Sequence, residues 1–381
     1  MKKDRFLRHF LRHLIDMMSE TSPNPASLSS AEATPLAALV GAPTVAHCGS
    51  LTPERFDAPA TEMAALATGI AVHDLGWLRR LTLTGEDRTR WLNGMVTNNI
   101  KDLPEGASNW NLVLNAQWHI LGTLTASLIA GRLELTTPAD QLERILTHFD
   151  RLIIMDDVEI ERCDGLSALG VSGPKAAERL TALGIAAPST MHAVLESHWQ
   201  GHRLIVERDY EALLPHFQIW IEATAIGALW QALLDAQAKP VGIVSLEALR
   251  IAEAIPAYGT DLAERDLPQE SSQMRALNFS KGCYLGQEII ERVRSRGMVR
   301  RHLRALLLDG PVPAPGTALT LEDGTAAGEV TSAAQLELPS GTRTVALGRI
   351  PAPVELRSQA LHYTHAAQAG LARLLDAPQP L

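Results

Sequence analysis

The chain has 381 residues, 46% of them hydrophobic, and a net charge of −9. That is enough apolar material for a large core in two or three domains, and the acidic balance excludes a nucleic-acid coat while allowing a local basic patch. Its three cysteines are widely spaced and odd in number, so they build neither a disulfide framework nor a paired metal site. A reducing, cytoplasmic setting is expected from that usage. No uninterrupted apolar run is long enough to span a bilayer, so no membrane partner is expected, and no P-loop, HExxH or GxSxG motif is present.

Along the chain, residues 1–18 are amphipathic and basic without the features of a signal peptide, and Met18 offers an alternative start. Ala/Pro/Ser/Thr-rich sequence follows, so 1–59 is expected to be a disordered, dispensable leader. Helices are predicted over 62–68, capped by Thr61, and over 86–95, where Trp91, Leu92 and Met95 turn inward. Strands are predicted over 78–83, 112–114, 121–129, 132–136 and 158–162, with a helix over 138–151. Further helices are predicted from Gly173-Pro174 to Leu183, over 226–237 and over 244–253, and further strands over 199–206 and 217–221. After Arg304, short apolar runs alternate with Gly and Pro, as in a small β-barrel over 301–358, leaving 359–381 as a tail.

The stretch Lys281-Gly282-Cys283-Tyr284-Leu285-Gly286-Gln287-Glu288 reads as a glycine-rich turn opening a helix. Cys283 would precede a helix N-terminus, with Lys281 two residues away, and both features favour thiolate. The plain alternative is a small buried hydrophobe. This octapeptide resembles, at every position, the K-G-C-[YF]-x-G-Q-E signature of the folate-binding YgfZ family, relatives of GcvT, the aminomethyltransferase of the glycine cleavage system. Three further stretches resemble family patterns: the run Thr97-Asn98-Asn99-Ile100, the helix segment Leu249-Arg250-Ile251 with Ala254 at a usual Gly, and Pro256-x-Tyr258-Gly259-x-Asp261.

The resemblance implies an α+β, GcvT-like three-part body, with two mixed α/β lobes over 60–300 around a central cleft, and a C-terminal barrel. It implies tetrahydrofolate as the cofactor and Cys283 with Lys281 as the functional centre. Arg250, Tyr258, Glu270 and Gln287 would contact the ligand, and Glu211 or Glu222 would read the amino edge of the pterin. It also implies an accessory role in iron–sulfur cluster assembly or repair, with an effect on cluster-dependent tRNA modification. Partners would be folate and iron–sulfur assembly proteins or client enzymes, and a monomer is expected.

One departure separates this chain from the aminomethyltransferases it resembles. Where those enzymes carry one or two aspartates, this chain has Gly122 and Thr123, neither of which is an acid or base near pH 7. Trp118 also replaces a usual Gly, with room either to reshape the pocket or to fill core. A tetrahydrofolate-dependent aminomethyltransferase is therefore the second reading. A third, an RNA-binding module, rests only on the run Arg292, Arg294, Arg296, Arg300, Arg301, Arg304, which is more simply a solvated basic face.

Overall fold

The computed structural model describes residues 31–288, 290, 291, 299–355 and 360–381. The basic stretch at 1–18, the Met18 start and the arginines at 292–296 lie outside them. The chain opens with β1 (Glu32–Ala33), β2 (Thr44–His47) and β3 (Ser50–Pro53), a small sheet with β3 in the middle. Next come β4 (Ala71–Asp74), β5 (Leu78–Thr84), β6 (Ala107–Leu114), β7 (Ile120–Ile129) and β8 (Arg132–Pro138). They are followed by β9 (Glu159–Arg162), β10 (Leu166–Ser172), β11 (Val194–Trp199), β12 (His202–Arg208), β13 (His216–Glu222) and β14 (Lys239–Pro240). The last six are β15 (Arg301–Asp309), β16 (Ala318–Thr320), β17 (Ala326–Leu338), β18 (Gly341–Pro351), β19 (Leu361–His365) and β20 (Gln368–Leu375).

Two mixed layers form the body. One sheet runs β11-β12-β13-β10-β4-β14, the other β6-β7-β8-β5-β9. In β5, Leu81 and Leu83 point to one face, and Arg80, Thr82 and Thr84 to the other. Its apolar face joins Trp91, Leu92, Ile145 and Phe149 from the Arg88–Met95 and Ala139–Asp150 helices in one core. A second core joins β10, β12 and β13 to the Ile226–Asp235 helix, whose Ile226, Leu229, Trp230 and Leu233 recur at helical spacing. The third part is the closed barrel β15-β18-β17-β16-β19-β20.

Three expectations change. The predicted leader is folded from Glu32 onward. Leu36 is fully buried, and the Thr34 and Thr52 hydroxyls donate to the buried Asp74 carboxylate. Small residues here cover the edge of the body rather than avoid it, so composition misled. The tail is also folded, because the barrel closes only through β19 and β20. Last, the strand expected over 199–206 is a hairpin turning at Gln200 and Gly201, both with positive φ.

The Pro59–Thr68 helix starts three residues earlier than expected, after Ala58 in place of Thr61 and with Pro at its first turn. Its Glu62 is buried and ties three segments. One carboxylate oxygen accepts from the Phe56 and Asp57 amides, and the other from Gly242 N–H and the Ser245 hydroxyl.

A chain beginning at Glu54 removes Leu36 and both hydroxyl partners of Asp74. Burial of one leucine stabilises by about 1.5–3 kcal/mol, and stripping partners from a buried acceptor costs about 1–3 kcal/mol. Such a chain should melt at least about 5 °C below one beginning at Ala31. Equal melting temperatures would mean that the first sheet contributes nothing.

Candidate functional site

A cavity of about 300 Å³ lies between the two body sheets, within the size range of small-molecule sites. One sheet contributes His73, Ser172, His216 and Gln218, and the other Trp110, Thr123 and Thr136. The Ile243–Ala252 helix and the loop after it close it with Leu246, Arg250, Pro256 and Tyr258.

On the first wall, four side chains form a buried line. His216 Nε2–H donates to Glu253 (2.9 Å), His216 Nδ1 and Ser172 Oγ share a hydrogen bond (2.9 Å), and Ser172 Oγ and His73 Nε2 share another (2.9 Å). Burial pulls the His216 pKa down, but the Glu253 carboxylate more than offsets this, and the net direction is upward. Burial and the nearby His216 push His73 down to about 3, so it stays neutral. With His216 protonated, its Nδ1–H donates to Ser172 and the Ser172 hydroxyl to His73 Nε2, so His73 carries its hydrogen on Nδ1, which has no partner. The ring fits only because the facing strand residue is Gly170, where a Cβ would sit 1.8 Å from His73 Cε1.

Two more buried polar atoms on this cavity lack a protein partner, Trp77 Nε1 and Gln218 Oε1. The amide of Gln218 donates instead to Asp209 (2.6 Å), another cavity residue, whose second oxygen accepts from Tyr210 N–H (2.7 Å). Unpartnered buried polar atoms are rare and call for a ligand or water. The wall thus offers two donors, an acceptor and a carboxylate among aromatic and aliphatic surface.

The expected site residues separate on this geometry. Tyr258 lies on the cavity, its hydroxyl donating to Ile120 C=O (3.2 Å) and accepting from Arg144 (2.7 Å). Arg250 also lies there, but its fork is occupied by Asp261 (2.7 Å), Glu247 (2.9 Å) and Ile255 C=O (2.6 Å). Glu211 is off the cavity wall and holds Arg208 through both oxygens. Glu222 ends β13, half exposed against His202. Glu270 caps a 3-10 turn through Leu267 N–H (3.1 Å) and stands 3.6 Å from Arg301. Gln287 begins a helix away from the cavity.

Cys283 is exposed, on a loop of which no described residue lines the cavity. Gly282 and Gly286 both take positive φ there, and at Gly286 a Cβ would also meet Leu114 at 2.7 Å. Lys281 does not serve the thiol as expected. Its ammonium donates to the carbonyls of Val96 and Asn98 and lies over the Tyr284 ring, and burial lowers its pKa to about 7. Tyr284 packs inward as read. Trp118 neither lines the cavity nor fills core. It is 38% exposed beside Gly286, with φ +67. Ala254 likewise has φ +56. Both are positions where the resembled family has glycine, and left-handed backbone is the physical reason.

Asp209, His216, Glu253 and Arg275 carry polar character into the cavity and were not among the expected residues. Asp209 follows one strand, His216 begins another, Glu253 ends a helix and Arg275 lies in a short 3-10 turn, with no shared spacing to betray them.

The GCVT N-terminal domain model matches residues 38–281, and the chain belongs to that family. An aminomethyltransferase of Frankia alni is 27% identical over 287 residues, covering 71% of this chain and 76% of that protein. An aminomethyltransferase of Rubrobacter xylanophilus is 26% identical over 321 residues, covering 83% and 85%. The crystal structure of glycine cleavage system aminomethyltransferase T from Bartonella henselae superposes with a TM-score of 0.82 at 19% identity, covering 92% of this chain and 98% of that one, which shows a shared fold.

His216 should titrate above its ordinary value of 6.5 in the folded chain, and lower in Glu253→Gln, where only Asp209 and Glu211 still oppose burial. The stability that the pair contributes is then complete below pH 6.5 and fades as pH rises through the higher folded value. Imidazole proton shifts followed by NMR against pH check this. A midpoint below 6.5 in the unaltered chain contradicts it.

Proposed function

We propose that this chain binds a reduced folate in the cavity between its two sheets and acts as an accessory protein of iron–sulfur cluster assembly or repair. The observation that carries the folate half is the set of unpartnered atoms on one wall: His73 Nδ1, Trp77 Nε1 and Gln218 Oε1, beside the Asp209 carboxylate. A pterin presents amino and ring N–H donors next to a carbonyl acceptor, and needs donors and acceptors in one plane with apolar surface above and below. Asp209 fits the role of accepting from the amino edge, in place of Glu211 or Glu222, because it faces the cavity and they do not. A bound folate would supply a one-carbon carrier. The chain's own residues would bind and orient it, while Tyr258 and Arg144 close one side against water.

The accessory role rests on the octapeptide's resemblance and on the exposure of Cys283, which leaves the thiol open to a partner protein. Among the described residues no three His, Cys, Asp or Glu side chains converge as metal ligands, so a cluster would need ligands from that partner. Aminomethyl transfer is the rival, favoured by the names of the relatives. Against it stand Gly122, where even a Cβ would meet Gln141 and Ile145 at 3.1 Å, and Thr123, whose amide and hydroxyl donate to Gln141.

Titration calorimetry of the full chain with tetrahydrofolate should give saturable binding, weakened about tenfold or more in Asp209→Asn, since charged hydrogen bonds contribute about 1.5–3 kcal/mol. The same preparation should not transfer methylene from an aminomethylated lipoyl carrier to tetrahydrofolate. Binding unaffected by Asp209→Asn removes the proposed pterin edge, and turnover at ordinary enzyme rates restores the transferase reading. Cys283→Ser should lose the ability to support a cluster-dependent enzyme in cells lacking the native protein.

A further inference from the structure

Arg275 stands on the cavity wall between two aromatic rings. Its guanidinium carbon lies 3.8 Å from the ring centre of Tyr210 and 4.6 Å from that of Trp110. The Tyr210 ring is backed in turn by His192, nearly parallel at 16° with centres 6.4 Å apart. Four distant stretches build this stack: β6, the loop before β11, the loop after β12, and the short turn Met274–Ala276.

The arginine is held in place from its other side. Asn98 donates to the Arg275 carbonyl (2.8 Å) and to that of Trp110 (3.1 Å), so one side chain spaces the two residues. The Thr97 hydroxyl donates to Ala276 C=O (2.7 Å). Arg275 Nε–H donates to Gln273 Oε1 (3.0 Å), and Gln273 is itself anchored on Ala254 C=O (3.1 Å). With the faces covered by rings and Nε committed, the two terminal nitrogens remain as a fixed fork. Among the described residues they have no hydrogen-bond partner and no carboxylate within 4 Å.

The nearby acids are engaged elsewhere. Asp209 holds Gln218 and Tyr210 N–H, and Glu253 holds His216 and Leu213 N–H. Both act on Arg275 from beyond ion-pair distance. Burial, the largest influence, lowers the pKa of Arg275, as expected for a cation shielded from water without a bonded anion. Arg275 is half-buried and its two terminal nitrogens still reach solvent, so a ligand can approach them.

We propose that the Arg275 fork, clamped between Trp110 and Tyr210, is an anion subsite of the cavity that takes the glutamyl carboxylate of the bound folate. The inference rests on the folate reading and adds to it a residue that senses the tail, not the ring. A planar fork pairs with a carboxylate through two parallel N–H···O bonds. Both rings pack on the guanidinium, which leaves its unbonded edge to the ligand. The pterin wall at Asp209 and Gln218 and the fork at Arg275 thereby divide one ligand between a polar ring and an acidic tail.

The test compares two stable ligands on the full chain by calorimetry, 5-formyltetrahydrofolate and its 5-formyltetrahydropteroate counterpart, which lacks the glutamyl group. The unaltered chain should prefer the glutamyl form by about tenfold or more. Arg275→Met, which keeps an apolar stem between the rings, should abolish the preference and leave pteroate affinity unchanged. Arg275→Lys, which keeps the charge without the fork, should reduce the preference by at least about threefold; it decides the question alone if the methionine variant does not fold. A preference that persists in both variants, or equal weakening of both ligands, overturns the subsite while the folate reading stands. Absence of any preference in the unaltered chain does the same. Binding of neither ligand to the unaltered chain overturns the folate reading and the subsite with it.

Discussion

The ion pair between Arg250 and Asp261 fastens the barrel to the helix and loop that close the cavity. Asp261 is wholly buried, and one of its oxygens takes Arg250 Nη1 and the Ala257 amide. The other takes the hydroxyls of Thr331 and Ser332 on the barrel strand β17. A single carboxylate therefore fastens the Ile243–Ala252 helix, the loop carrying Tyr258 and the barrel. A buried pair of this kind adds little net stability compared with apolar packing, but removing one partner strands a charge at a cost of about 3–5 kcal/mol. Its value is geometric: the loop that closes the cavity cannot shift without breaking the knot. Arg250 was read from the sequence as a ligand group. Its saturated fork makes it the brace of the cavity wall instead, although one side of it does face the cavity.

A second constraint works on the opposite wall. Arg80 and Glu134 pair in the interior, with the guanidinium 5.2 Å from the Trp220 ring centre. Beyond them Glu207 is buried, and burial raises its pKa to about 7. The space between the sheets therefore mixes charged groups with apolar ones such as Leu78, Ile129, Ile205 and Trp220, unlike the two apolar cores outside it. A fold that keeps acids, imidazoles and hydroxyls in the interior between two sheets has to satisfy them with one another or with a ligand. The line from Glu253 to His73 is satisfied internally at every member except the last atom, and that atom is on the cavity.

Much of the fold was legible because periodicity reports burial. Strands β5 to β9, β12 and β13 and the Ile226–Asp235 helix follow from apolar runs, alternation and helical spacing, whereas β4, β10, β11 and β14 do not. The barrel followed from short apolar runs punctuated by Gly and Pro, but its last two strands did not. In Gln368–Leu375 small Gly370 and Ala372 are buried while Leu371 and Arg373 are exposed, so hydrophobicity does not alternate with burial. The first sheet was missed for a related reason: Thr34, Ser50 and Thr52 are buried through hydrogen bonds, which leave no apolar pattern. The site was harder still. The octapeptide announced a turn with two glycines and an inward tyrosine, all present. What it could not announce is that Lys281 spends its ammonium on the carbonyls of Val96 and Asn98. Asp209 and Glu211 are two residues apart, and only the turn after β12 decides which faces the cavity and which holds Arg208.

The account's central claim is that the cavity between the two sheets receives the ring of a reduced folate on its Asp209 wall. The most direct measurement is a crystal structure of the full chain grown with 5-formyltetrahydrofolate. The account predicts density for the pterin within hydrogen-bond distance of Asp209, Gln218 and Trp77, in the space bounded by Tyr258. Density for the ligand only outside this cavity, or a cavity filled by side chains and water at saturating folate, would contradict it.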